Sequence, residues 1–414
     1  MNDERNNRLR TVIGGVFRSV ALLCATGTLM QTFLVTLGFS ASRIYLYTTF
    51  LQAANILTIL LGSRWADRGN VMHRAAFTQI PVAVCMLCFL PICFRKDASL
   101  KTFVFVVAIG ITMGIANALY TVCEYKAPYF LYRSDSFGGI LAIGGVISSG
   151  ISFGVGVLVS WLSTRYPYVD LMTVAFAISA AFFLIAAAIT WFQKSLLKGE
   201  NGDRWNLVAE KVPFSRIFRH ESFLCVWPAH LLRGFAYGTL SVLAVVALDV
   251  GYSETVTAAI TAVQSVAVLV GYLVFGLFSR FFSPRLPVFL GSVSIAILPL
   301  MLVGNQYVFL ALCAFLIFGR TLVDVGVIAL MIYPVPREHA GPYNAWRMVL
   351  HNLGSLLATA VATAIPTVAL LWISVACGVA SGFLFLLIPI LRRTSPMKIG
   401  RSGKDESNYE TIGE

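Results

Sequence analysis

The sequence predicts an all-α polytopic membrane protein, with twelve transmembrane helices in two pseudo-symmetric six-helix halves. Three observations carry this. Of the 414 residues, 58% are hydrophobic and only 12% charged, a balance that excludes an ordinary water-exposed globule. Apolar runs of membrane-spanning length recur along the chain, and lipid leaves helices as the economical way across. Lys and Arg concentrate in alternate loops, so the net charge of +12 is a topology signal and not a nucleic-acid surface.

Taken in order, residues 1–10 form a basic cytoplasmic tail. The first apolar run is too long for a signal-peptide core and lacks a small-residue cleavage pattern, so it is expected to stay attached. Run lengths place the first half at 11–193, with spans at 11–37, 41–63, 74–94, 101–124, 137–162 and 169–193. A basic central loop follows at 194–220. Within it, Pro213 to Phe218 reads either as a short interfacial helix or as an irregular linker. The second half, 221–391, has spans at 221–248, 254–279, 286–304, 306–332, 341–364 and 367–391, and a cytoplasmic tail covers 392–414.

With the N-terminus inside, the outside loops carry only Arg43, Arg95, Lys96, Lys101 and Arg165 of the 31 Lys and Arg. That bias orients the chain in a plasma (inner) membrane with both ends cytoplasmic. The halves also echo each other at a nearly constant offset. Ser40 and Ser253 precede spans two and eight as suitable helix N-caps, Gln52 and Gln264 follow, and Gly62 matches Gly276. Duplicated halves explain this better than coincidence. All eight Cys lie in or at the ends of apolar runs. Cys85 and Cys88 form a C-x-x-C without a second ligand pair, so they read as small packing residues. No metal site and no cofactor are expected.

The turn Gly62 to Arg74 is short and dense in charge. Asp67 sits among Arg64, Arg68 and Arg74. Two readings stand: a solvated loop with an incidental ion pair, or a latch in which Asp67 accepts from donors at a neighbouring helix end. The string Ser63-Arg64-Trp65-Ala66-Asp67-Arg68, then Gly69 and Arg74, together with six spans, a basic loop and six spans, resembles the major facilitator superfamily over about residues 11–391. The Asp-Arg pair of that family's motif is intact. Its Gly sits one position early, at Gly62, and the distal basic pair is reduced to Arg74 with His73 before it. The second-half copy, around Arg280 and Arg285, lacks the Asp, as is common in the family. The resemblance implies a transporter alternating between inward-open and outward-open states, with Asp67 and Arg68 stabilising one of them. It also implies a central cavity lined by spans one, four, seven and ten.

A charge within a span costs a few kcal/mol or more, so its place is informative. Ionisable residues at depth fall in spans one (Arg18), four (Glu124), seven (His230, Arg233), ten (Arg320, Asp324) and eleven (Arg347, His351). Helical spacing puts His230, Arg233, Tyr237 and Ser241 on one face of span seven. Asn117, Thr121 and Glu124 share a face of span four, and Asn344, Arg347 and His351 one of span eleven. Cavity candidates are Arg233, His230, Tyr237, Asn117, Arg320, Asp324, Arg18 and Gln31. Each has a structural alternative in interhelical hydrogen bonding, and Arg18 could equally snorkel. Arg320 and Asp324, four apart, are expected to pair with each other. Glu124, Asp324 and His351 are the proton-coupling candidates. Gly144, Gly145, Gly150 and Gly154 of span five, with Gly156, are expected to let that helix pack closely and slide.

The surplus of buried Arg over acid suits a small polar solute that is anionic or polyhydroxylated. The expectation is a secondary active or facilitative transporter, a symporter or uniporter. Its partners would be the bilayer, the solute and a coupling ion such as H+, and it would act as a monomer. The alternatives are a multidrug or metabolite exporter working by proton antiport and a transporter-like solute sensor without flux. Span four lacks the Arg, and span five the Gly-Pro motif, that the family's drug–proton antiporters usually carry. An enzyme is disfavoured by the absence of H-E-x-x-H and of a metal-ligand cluster, and a nucleotide-driven pump by the absence of a P-loop.

Overall fold

The computed structural model describes residues 2–66, 69–132, 137–196, 198–199, 202–203, 221–240, 242–278, 285–302, 304–332 and 337–392. The first predicted span is built from α1 (Asn2–Ala25) and α2 (Thr28–Thr36). They are separated at Gly27, whose φ of 81° lies in the left-handed region open to glycine. Then come α3 (Ala41–Ala66), α4 (Val71–Cys88), α5 (Leu90–Arg95), α6 (Leu100–Lys126), the single turn α7 (Pro128–Leu131), α8 (Phe137–Leu162) and α9 (Tyr168–Trp191). Lys198–Gly199 and Gly202–Asp203 form a minimal antiparallel pair.

The second predicted half begins with α10 (Glu221–Leu240), continues after a break in α11 (Leu243–Asp249), and runs on through α12 (Glu254–Phe278). Next is α13 (Arg285–Val293), which tightens into a 3-10 helix over Ser294–Leu302. It closes with α14 (Gln306–Ile332), α15 (Arg337–Ala362) and α16 (Thr367–Arg392). Ten segments among the described residues are long and apolar enough to cross a membrane, at the predicted spans one to six, eight, nine, ten and twelve. The other two expected spans correspond to α10 and α15. Arg347, His351 and Asn352 dilute the apolar character of α15.

Helix ends follow from local chemistry. Ser40 and Ser253 sit where predicted, their carbonyls accepting the first helical N–H groups from Ile44 and Thr257. Ser99 caps α6 by accepting from the Thr102 N–H at 3.3 Å. Asp97 in the same loop accepts from Ser99 N–H at 2.9 Å, and hydrogen bonds from Ser99 hold its carboxyl below the usual carboxylate range. Asn70 caps α4, its side chain accepting from the Met72 and His73 N–H groups at 2.9 and 3.1 Å. Before it, Gly69 takes φ 76°. A buried aromatic trio ties α2 to α9 and to the α4–α5 junction: Phe33 meets Phe176 at 5.1 Å edge to face, and Phe89 stacks on Phe176 at 4.9 Å.

Among the described residues, several helix pairs join the first predicted half to the second. Along α2 and α12, Thr28 hydrogen-bonds Thr261, and Thr32 donates to Thr257 at 3.0 Å. Along α3 and α15, Gln52 donates to Ser355 at 2.9 Å and Thr49 to Thr359 at 3.1 Å. Along α8 and α12 the contact is close because side chains are missing: a Cβ on Gly156 would lie 2.7 Å from the Ala262 backbone nitrogen, and one on Gly145 would lie 3.3 Å from the Tyr272 ring. The expected glycine surface is corrected in part. Gly144 and Gly154 point to open space and Gly150 only reaches Leu269 at 3.9 Å, so Gly145 and Gly156 make the close approach.

Candidate functional site

The polar residues predicted at depth gather into two centres. The larger joins α10, α14 and α15. The Arg233 guanidinium of α10 is ion-paired with Asp324 of α14, and Arg320, one turn earlier on α14, reaches the other carboxylate oxygen at 3.6 Å. The Arg233 side chain is buried, while Asp324 and Arg320 remain 39% and 37% accessible. Asp324 therefore stands between a buried cation and a half-open one. The expected Arg320–Asp324 pair is present as the looser of the two.

His230 and His351 lie within electrostatic reach of Arg233, and Arg347 within reach of both histidines. Arg347 is 7% exposed and His230 fully buried. Both His230 ring nitrogens, the Arg347 Nε and the His351 Nδ1 lack a hydrogen-bond partner among the described residues. Two guanidinium groups thus share one carboxylate, with both imidazoles within electrostatic reach of Arg233. Buried charge without compensation is unfavourable by several kcal/mol.

The centre is held by backbone packing of α10 on α15. A Cβ on Gly234 would overlap the His351 carbonyl, one on Gly354 would overlap the Leu231 carbonyl, and one on Gly238 would lie 2.7 Å from the Ser355 Cα. The spacing Gly234-x-x-x-Gly238 is the small-residue motif of close membrane-helix crossings. It was available in the sequence and not used there.

The smaller centre joins α1 and α6. Arg18 donates to the Asn117 side-chain oxygen at 2.5 Å, and its guanidinium lies 3.7 Å from the centre of the Tyr120 ring. Tyr120, absent from the sequence candidates, is the unforeseen partner. Glu124, one turn further along α6, is exposed.

Three cavity candidates make other contacts. The Tyr237 hydroxyl donates to the Gly291 carbonyl of α13 at 3.1 Å, so its polar end serves helix packing and not an open surface. Gln31 is buried in α2, away from α10, α14 and α15. His230 turns its ring edge-on to Phe385 of α16 at 5.4 Å. Of the turn residues, Arg74 packs its guanidinium over Trp65 at 4.9 Å. Asp67 and Arg68 lie outside the described residues, as do the side chains of Arg64, Asn344 and Cys225 and the segment Pro213 to Phe218. The seven described cysteines, Cys85 and Cys88 among them, are free.

The site thus consists of paired charges within a bundle of membrane-length helices, and comparison with known proteins finds similar folds. Residues 226–412 match the model of the Major Facilitator Superfamily. The fold is similar to that of a bacterial homologue of the iron transporter ferroportin in an outward-facing state, with TM-score 0.67 and 15% identity over 94% of this chain and 100% of that one. It is equally similar to a D-xylose–proton symporter, with TM-score 0.68 and 14% identity over 92% and 96% of the two chains. No curated protein sequence matches. The family match thus covers the second predicted half, and the whole chain shares the fold of these solved structures.

Proposed function

We propose that the protein carries a small anionic solute across the plasma (inner) membrane by alternating access, as a monomer with both termini in the cytoplasm. The observation that supports this reading most is Asp324, one carboxylate shared by Arg233 and Arg320 with Arg347 and two histidines nearby. An incoming carboxylate or phosphate takes over the guanidinium groups bidentately. Asp324, released from Arg233, then accepts a proton, which couples solute to H+. Arg18 with Asn117 and Tyr120 forms a second polar contact on the opposite wall. Asp67, Arg68, Arg64 and Arg74 form the latch of one state. Among the described residues no group of three or more His, Cys, Asp or Glu is placed to hold a metal ion, so nothing in the donor set favours a metal cargo.

Uptake into proteoliposomes tests the reading. Organic anions are expected to accumulate and to compete with one another. Preferential uptake of lipophilic cations, or saturable binding of anions without flux, contradicts it.

A further inference from the structure

Away from the charged centres, α8, α12 and α14 enclose a crevice of about 640 Å³. We propose that it holds one acyl chain of a phospholipid whose phosphate rests on Arg165. The walls are apolar: Phe153, Val157 and Trp161 of α8 face Val266 of α12 and Ala311 of α14. Phe153, Val157, Trp161 and Val266 are each at least 38% exposed, so the crevice opens sideways to the bilayer.

Its depth fits a single leaflet. From Phe153 to Trp161 a helix advances roughly 12 Å, and from Thr255 to Val266 roughly 16 Å, against about 15 Å for half the hydrocarbon core. The mouth is not apolar. Trp161, an interfacial residue type, lines the crevice. The Arg165 guanidinium lies 4.2 Å from the centre of its ring. No carboxylate lies within 4.0 Å of Arg165 among the described residues. A ring-stacked Arg keeps its N–H fork for a phosphate. One occupant satisfies an apolar slot one leaflet deep beneath a cation, and that is a lipid.

The position has a consequence for transport. The floor of the crevice is the α8–α12 seam, where Gly156 meets the Ala262 backbone. A chain seated there contacts both halves and stabilises the arrangement seen here. Assigning the lipid to the outer leaflet rests on the proposed orientation; the site itself does not depend on the solute.

Native mass spectrometry of the full chain, titrated with palmitoyl-oleoyl phosphatidylglycerol, tests this. Wild type is expected to retain one lipid that inorganic phosphate and a sugar-headed detergent of equal chain length do not displace. Ala311→Trp, which fills the slot, should lower occupancy roughly tenfold, and Arg165→Gln should lower it severalfold. Ala259→Phe provides a second filling variant from α12 should the first fail to fold. Equal occupancy in wild type and a folded filling variant overturns the proposal. So does displacement of the lipid by a second copy of the chain packing on this face.

Discussion

Asp324 on α14 pairs with Arg233 on α10, binding two helices of the second half through one carboxylate. The Asp324 side chain is 39% accessible while Arg233 is buried, so a solute or a proton reaches the acid before the base. This is why the proposed coupling is assigned to Asp324.

Asp324→Asn should abolish concentrative uptake driven by a proton gradient while sparing solute exchange at equal concentrations. It should also lower stability by about 1–3 kcal/mol, less than for a fully buried pair because the acid is partly solvated. Paired uptake and exchange assays check the first point and thermal unfolding in detergent the second. Undiminished gradient-driven uptake would remove the acid from coupling.

The glycines divide by what surrounds them. Gly234→Ala forces its Cβ into the His351 carbonyl, a backbone group that yields only if α10 and α15 separate, and is expected to destabilise by about 1–3 kcal/mol. Gly154→Ala meets nothing within 4 Å and should be neutral, or stabilising by up to about 1 kcal/mol through helix propensity. Matched unfolding curves read the difference; equal effects would refute this packing account.

The hydroxyl contacts between α2 and α12 close one end of the seam. Thr28→Val with Thr32→Val removes two interhelical hydrogen bonds at about 0.6 kcal/mol each. The equilibrium should shift roughly sevenfold towards separation of these helices. Spin-label distances between α2 and α12 report it as a grown long-distance population, and an unaltered distribution would show that the threonines hold nothing shut.

Asn70→Ala should weaken the start of α4 by about 1 kcal/mol, whereas Asn70→Asp keeps an acceptor and should be nearly neutral. Hydrogen exchange at Met72 and His73, whose N–H groups the cap binds, separates the two. Equal protection in both variants would mean that the cap contributes nothing.

Much of the architecture was legible because membrane helices announce themselves by run length. The predicted 169–193 became Tyr168–Trp191, and 367–391 became Thr367–Arg392. The breaks after Ala25 and Leu240 were not legible, since both fall inside apolar runs and only the positive φ of Gly27 marks the first. Depth and charge sufficed to find Arg233, Arg320 and Asp324. Direction within the helix did not follow from them: Tyr237 shares a helix face with Arg233, yet its hydroxyl turns to Gly291. Residues packed across space, such as Tyr120 under Arg18, leave no periodic trace.

The central claim is that Arg233 binds the solute. Saturation of anion uptake in proteoliposomes should show an apparent affinity weaker by roughly tenfold or more in Arg233→Ala than in wild type, as expected when a buried charge partner is truncated. An unchanged affinity in a folded Arg233→Ala protein would contradict the account.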